Sequence, residues 1–94
     1  MRTVEFEPNT SMEWDDLGKS MKSGETVMVA GTPHTQRECF ARALRLDPTN
    51  SLAWNDLGCA LKKGETANVN GRQYTSEQCF QRAGELYDGS QRLR

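Results

Sequence analysis

Apolar side chains recur along this chain in two rhythms. Trp54, Leu57, Gly58 and Leu61 fall at i, i+3, i+4 and i+7, with Leu52 just ahead, a single stripe at helical period. Asn50, two residues after Pro48, is a good N-cap for this helix, and Thr10 with Glu13 makes a capping box at the matching place upstream. A second helical stripe runs through Cys39, Phe40, Ala43 and Leu46, and again through Cys79, Phe80, Ala83 and Leu86. Each is opened by a capping box, Thr35 with Glu38 and Thr75 with Gln78. Between the stripes the rhythm changes. Thr66–Tyr74 centres on Asn70-Gly71, the favoured pair for a type I′ turn, and predicts a small β-hairpin. The first copy, Thr26–His34, carries Ala30 where a positive φ is disfavoured and Pro33 where a ladder donor is lost, so it predicts an extended loop with a hairpin as the alternative.

These elements are one unit used twice. Trp14 and Trp54 are 40 apart, as are Asp16 and Asp56, Leu17 and Leu57, Gly18 and Gly58, Gly31 and Gly71, Thr35 and Thr75. Cys39-Phe40 returns as Cys79-Phe80, and Arg42-Ala43 as Arg82-Ala83. In the same register Arg2–Pro8 aligns with Arg42–Pro48, so residues 1–8 read as the remnant of a preceding second helix. The expected division is a single domain over 1–94, with repeats at 9–48 and 49–88 and a flexible tail at 89–94. Gly18 and Gly58 lie mid-helix, where glycine costs roughly 1 kcal/mol against alanine. Paying that twice predicts a second backbone packed closely there.

Trp-x-x-Leu-Gly-x-x-(large) in the first helix, Phe-x-x-Ala in the second and a following proline resemble the tetratricopeptide repeat. The matching residues are Trp14, Leu17, Gly18, Met21, Phe40, Ala43 and Pro48, then Trp54, Leu57, Gly58, Leu61, Phe80 and Ala83. Two features depart from that pattern. Gln36 and Ser76 stand where a small alanine usually opens the second helix, and the period is 40 instead of 34, the extra residues falling between the helices. The resemblance implies an all-α fold: a helical-hairpin solenoid wound as a right-handed superhelix, with a short hairpin or extended loop inserted in each repeat. It also implies a non-catalytic interaction module that holds a partner peptide on the concave face lined by the first helices, here called helices A. The residues of that face off the packing stripe are Met12, Asp15, Asp16, Lys19 and Lys22, then Leu52, Asn55, Asp56, Cys59 and Lys62. Their mixed charge suits a peptide carrying both signs. Asp15 occupies the place of a lysine that grips partner carboxylates in some members of the family.

Composition narrows the partners. The 94 residues carry 12 Lys+Arg and 13 Asp+Glu, a net charge of −1, which argues against a nucleic-acid module. Only 35% of residues are apolar, and no run approaches the ~20 needed to span a membrane. The opening MRTVEFEPNT lacks a basic run followed by an apolar one, and three cysteines are too few for a disulfide scaffold, so a reducing, cytoplasmic setting is expected. Cys39, Cys59, Cys79 and His34 show no Cys-x-x-Cys spacing, and Cys39 and Cys79 read as small core residues, so no metal or other cofactor is expected. Gly18-Lys19-Ser20 lacks the leading glycine of a phosphate loop. No catalytic constellation emerges, and an enzyme is not expected. The competing function is self-association: two units fall below the roughly three that bury a continuous core, leaving Val4, Phe6, Leu86 and Tyr87 to pack between copies or to swap a helix.

Overall fold

Each unit folds as helix, hairpin, helix. The computed structural model describes residues 2–4, 8–22 and 24–91. A short strand β1 (Arg2–Val4) precedes helix α1 (Ser11–Lys19), the hairpin β2 (Thr26–Val29) and β3 (Thr32–Thr35), and helix α2 (Gln36–Leu46). The second unit repeats the order with α3 (Ser51–Ala60), β4 (Thr66–Val69), β5 (Arg72–Thr75) and α4 (Ser76–Gln91). The caps explain the helix starts. Thr10 and Thr35 each accept from the backbone N–H three residues on, and Glu13 and Glu38 close the boxes. Asn50 Oδ1 accepts from the N–H of Ala53 at the start of α3.

The all-α solenoid expected from the resemblance is overturned: the described residues form four helices and two antiparallel hairpins, a mixed α/β globule. Its radius of gyration is 13.1 Å, close to the ~13 Å of a globular domain of this length. The inserts are part of the packing, since Val27, Val29 and Val69 point into the same core as the helices. Both hairpins turn on two residues with positive φ, Ala30 (51°) and Gly31 (82°) in one, Asn70 (53°) and Gly71 (88°) in the other. Ala30 accepts the strained conformation because Val27 and Val29, on the one face of β2 turned to the core, gain burial. Pro33 does not break the ladder because it lies opposite Met28, at a pair that exchanges no cross-strand bonds.

The opening segment is a second correction. Residues 1–8 were expected to be the end of a helix, yet Arg2–Val4 is a strand lying parallel on β2. The outward backbone groups of β2 need partners, and an extended Arg-Thr-Val supplies them. At the other end α4 continues through Gln91, so the tail expected at 89–94 begins as helix. Residues 92–94 of that tail, and Phe6 of the opening segment, lie outside the described residues.

The core is repeated like the sequence. Trp14, Leu17, Met21, Cys39, Phe40 and Ala43 are buried in the first unit, and Trp54, Leu57, Leu61, Cys79 and Ala83 in the second. Each tryptophan sits between a ring from its hairpin and a guanidinium from its second helix. Trp14 meets His34 edge-on at 5.1 Å with Arg42 at 5.3 Å, and Trp54 meets Tyr74 at 4.7 Å with Arg82 at 5.8 Å. Trp54 also donates from Nε1 to the Pro48 carbonyl at 2.8 Å. Gln36 and Ser76, the departures from the family pattern, have a use: Gln36 Nε2 donates to the Gly18 and Met21 carbonyls, and Ser76 Oγ to the Gly58 carbonyl. They cap the end of helix A: Gln36 adds a second bond to the Gly18 carbonyl, which already accepts from the Met21 N–H, and reaches the Met21 carbonyl, while Ser76 reaches that of Gly58.

The mid-helix glycines make room for a ring, not for a backbone. A Cβ on Gly18 would stand 2.6 Å from Phe40 Cε1, and one on Gly58 would stand 2.8 Å from Phe80 Cε1. The two rings differ in freedom: Phe40 is 2% exposed and Phe80 41%. Gly18→Ala should therefore cost about 1–3 kcal/mol by overpacking. Gly58→Ala should be close to neutral, because Phe80 can swing away and the helix gains roughly 1 kcal/mol. Urea denaturation of the two variants checks this, and equal losses would refute the assignment. In the same assay Trp54→Ala should lose roughly 3–5 kcal/mol.

Candidate functional site

Helices α1 and α3 present their outward faces side by side. Met12 and Leu52, at the same place in the two repeats, stand 63% and 55% exposed, large apolar side chains with no cover. Asp16, Lys19, Asn55 and Cys59 are exposed beside them. Lys22 and Lys62 are exposed too, but they follow the helices, in turns where their backbone N–H groups donate to Glu25 and Glu65 at 2.7 and 2.8 Å. They flank the face without belonging to it.

Asp15 departs from the expected face. It is 3% exposed, turned from the open surface toward α3. Asp56 is half-buried, so the two positions read as groove residues form part of the contact between repeats instead. Lys19 Nζ reaches Asp15 Oδ2 at 3.7 Å. That leaves Asp15 Oδ1 and Asp56 Oδ2, both buried and each without a hydrogen-bond partner. Two carboxylate oxygens are acceptors only, so they can satisfy each other only by holding a proton between them. Burial is the largest cause that pushes the Asp15 carboxyl up, to about 7; hydrogen bonding to Asp56 and repulsion from Asp56 and Asp16 add to it, and Lys19 opposes. From α2, the other helix against α1, the guanidinium of Arg42 lies over Trp14 and that of Arg37 pairs with Glu65.

A polar bridge joins the repeats close by. Ser11 Oγ donates to the Ala43 carbonyl at 2.7 Å and accepts from Asn50 Nδ2 at 2.8 Å, so the cap of α3 is anchored on α1. The cysteines divide. Cys39 and Cys79 are fully buried, Cys39 against Met21 sulfur at 3.7 Å, and burial pushes the Cys79 thiol up to about 11. Cys59 is exposed on α3. Among the described residues no three His, Cys, Asp or Glu side chains come together as metal ligands would.

A second concavity escaped the sequence reading. It is a trough of about 860 Å³ between the two hairpins, with Ala41, Arg42 and Arg45 of α2 along it, His34 on one side and Asn68 and Asn70 on the other. The signal for it was present in the repeat: Arg45 stands in one unit where the other has Glu85.

Residues 39–78 match the family model described as tetratricopeptide repeat. No curated protein and no solved structure matches the chain. The matched stretch runs from α2 through α3 and the second hairpin into the first turn of α4. Repeats of this family are protein–protein interaction modules, typically non-catalytic, and the match over residues 39–78 supports an interaction module with a protein partner. No helix among the described residues is long and apolar enough to cross a membrane.

The raised Asp15 carboxyl gives stability a pH dependence of unusual sign. Asp15 has an ordinary value of 3.8 and a raised one in the fold, so the native state holds a proton the unfolded chain has lost between about pH 4 and pH 7. Stability should fall as pH rises through that window and level off above it. Glu13, held below its ordinary 4.5 chiefly by backbone N–H groups of Asn9 and Thr10, acts in the other direction and only in the acid range, losing its contribution as pH falls below about 4.5. Asp15→Asn supplies a permanent donor to Asp56. Its melting temperature should exceed wild type at pH 7.5 by about 5 °C and lose the dependence between pH 5 and 7.5. Parallel curves for the two proteins would show that Asp15 does not hold a proton in the fold through that window.

Proposed function

We propose that the tetratricopeptide repeat carried by this chain works as a non-catalytic scaffold whose helix A face binds a peptide segment of a partner protein. The observation that carries this is the exposed pair Met12 and Leu52, repeated at one place on neighbouring helices and bordered by Lys19, Asn55, Asp16 and Cys59. Two apolar anchors one repeat apart suit a segment that crosses both helices, and the polar rim suits fixing its direction. Asp15 and Asp56 support the face from beneath by holding α1 against α3. A cytoplasmic setting and a single domain divided at 9–48 and 49–88 belong to the same reading.

Self-association is a second reading that one observation favours. Phe80 is open on α4, whereas its counterpart Phe40 on α2 is buried. Against it, α1 has exposed Glu13 and Ser20 where α3 has the buried Ala53 and the half-buried Ala60, a poor surface for a second copy's α4.

The test is a pull-down with the wild-type chain and a Lys19→Ala/Leu52→Ala/Asn55→Ala variant. All three side chains are exposed, so the variant should melt within a few degrees of wild type while losing bound protein about tenfold or more. Undiminished capture by the variant would move the binding face elsewhere. Sedimentation velocity from low to high micromolar concentration separates the alternative: a strict monomer throughout removes it.

A further inference from the structure

The two hairpins are copies in shape and differ in the chemistry of their turns. Each turns on a pair with positive φ, Ala30-Gly31 in the first and Asn70-Gly71 in the second. Alanine is inert at that place. Asparagine before glycine is not, because the backbone nitrogen of the glycine can attack the side-chain amide carbon, and the missing Cβ leaves that approach open. Asn70 and Gly71 are both exposed, so water and hydroxide reach them.

The second hairpin also carries a side chain that engages the attacking atom. Asn68 Oδ1 accepts from the Gly71 N–H at 3.0 Å. That nitrogen becomes a nucleophile only when its proton leaves, and an acceptor bound to the N–H favours the protonated form. The amide of Asn70 is held as well, since Nδ2 donates to the Leu44 carbonyl of α2 at 3.4 Å. In the first hairpin Met28 stands in the place of Asn68 and Ala30 in the place of Asn70, so the reactive residue and its neighbouring acceptor come as a pair or not at all. Asn68 is not needed to form the turn, because the first hairpin makes the same turn and the same pairing with Met28.

We propose that Asn70 is a site of spontaneous deamidation and that Asn68 holds the reaction in check while the hairpin is folded. Once the turn opens, hydroxide takes the Gly71 N–H proton and the nitrogen forms a bond to Asn70 Cγ. The Cγ–Nδ2 bond then breaks, and the nitrogen leaves as ammonia with a proton from water, which returns the hydroxide. The cyclic imide takes up water at one of its two carbonyl carbons. Opening at Cγ gives aspartate, and opening at the main-chain carbon gives isoaspartate. Either product lacks the Nδ2 donor and gains a carboxylate, so the tie to the Leu44 carbonyl is lost. Isoaspartate also lengthens the main chain by its Cβ, in a turn that closes on two residues. The second hairpin is thereby released from α2 on the side of the trough, irreversibly and independently of the helix A face.

The experiment incubates the full chain, as wild type, Asn68→Ala and Asn68→Asp, in mildly alkaline buffer with and without guanidinium chloride. Peptide mapping by mass spectrometry reads the amide-to-acid mass gain at each asparagine. In guanidinium the three proteins should convert at Asn70 at nearly one rate. Folded wild type should convert about tenfold more slowly or less, since the reaction waits for the turn to open. Folded Asn68→Ala should run about fivefold faster than folded wild type, the worth of one hydrogen bond. Asn68→Asp keeps an acceptor and should stay as slow as wild type. Hydrogen exchange at the Arg72 amide, inside the ladder opposite Val69, should be the same in wild type and Asn68→Ala. The proposal is overturned if folded wild type converts as fast as in guanidinium, if Asn68→Ala is no faster, or if Asn68→Asp is as fast as Asn68→Ala. Faster exchange at Arg72 in step with faster conversion also overturns it, by making Asn68 a brace of the hairpin. So does conversion at Asn9, Asn50, Asn55 or Asn68 ahead of Asn70.

Discussion

Each unit is organised around one buried indole. Trp14 and Trp54 are where the three parts of a unit meet: helix A carries the ring, the hairpin lays His34 or Tyr74 edge-on against it, and the second helix brings Arg42 or Arg82 over it. An aromatic pair adds about 0.5–1.5 kcal/mol beyond the area it buries. The greater effect is on geometry, since a ring touched from both sides fixes the angle between hairpin and helices. The strands are thus held by the same residue that defines the helical stripe. This is why a sequence that looks like a helical repeat with an insert folds as a mixed α/β domain.

Much of the architecture was legible. The capping boxes at Thr10, Thr35 and Thr75 placed helix starts, and Asn70-Gly71 placed one hairpin turn. What local rules missed came from tertiary context. Ala30 at positive φ and Pro33 in a strand both argue against a hairpin when taken alone; burial of Val27 and Val29 and the pairing phase of Pro33 outweigh them. Arg2–Val4 aligns with a helix and folds as a strand, because the open edge of β2 decides the matter more than the segment's own register does. The mid-helix glycines were correctly read as a close approach, but the approaching group is the phenylalanine ring of the partner helix.

The candidate face was legible only in outline. Periodicity separates a packing stripe from its opposite side, and it put Met12, Lys19, Leu52 and Asn55 on the open side. It could not say which intermediate positions face the neighbouring repeat. Asp15 lies on that boundary, and its burial against Asp56 follows from how α1 meets α3, a relation between units that no single helix encodes. The same holds for the trough, whose walls come from hairpins in different repeats. Its one local mark was a broken symmetry, arginine at 45 against glutamate at 85.

The uneven placement of the sulfurs gives the molecule its own reporter. Only Cys59 meets solvent, while Cys39 and Cys79 are sealed, the latter with its thiol kept protonated far above neutral pH. A maleimide dye would mark α3 in the native protein with no engineering, beside the face where a partner is expected. Any slower labelling of the remaining two would then time the opening of each repeat separately, one sulfur to a unit.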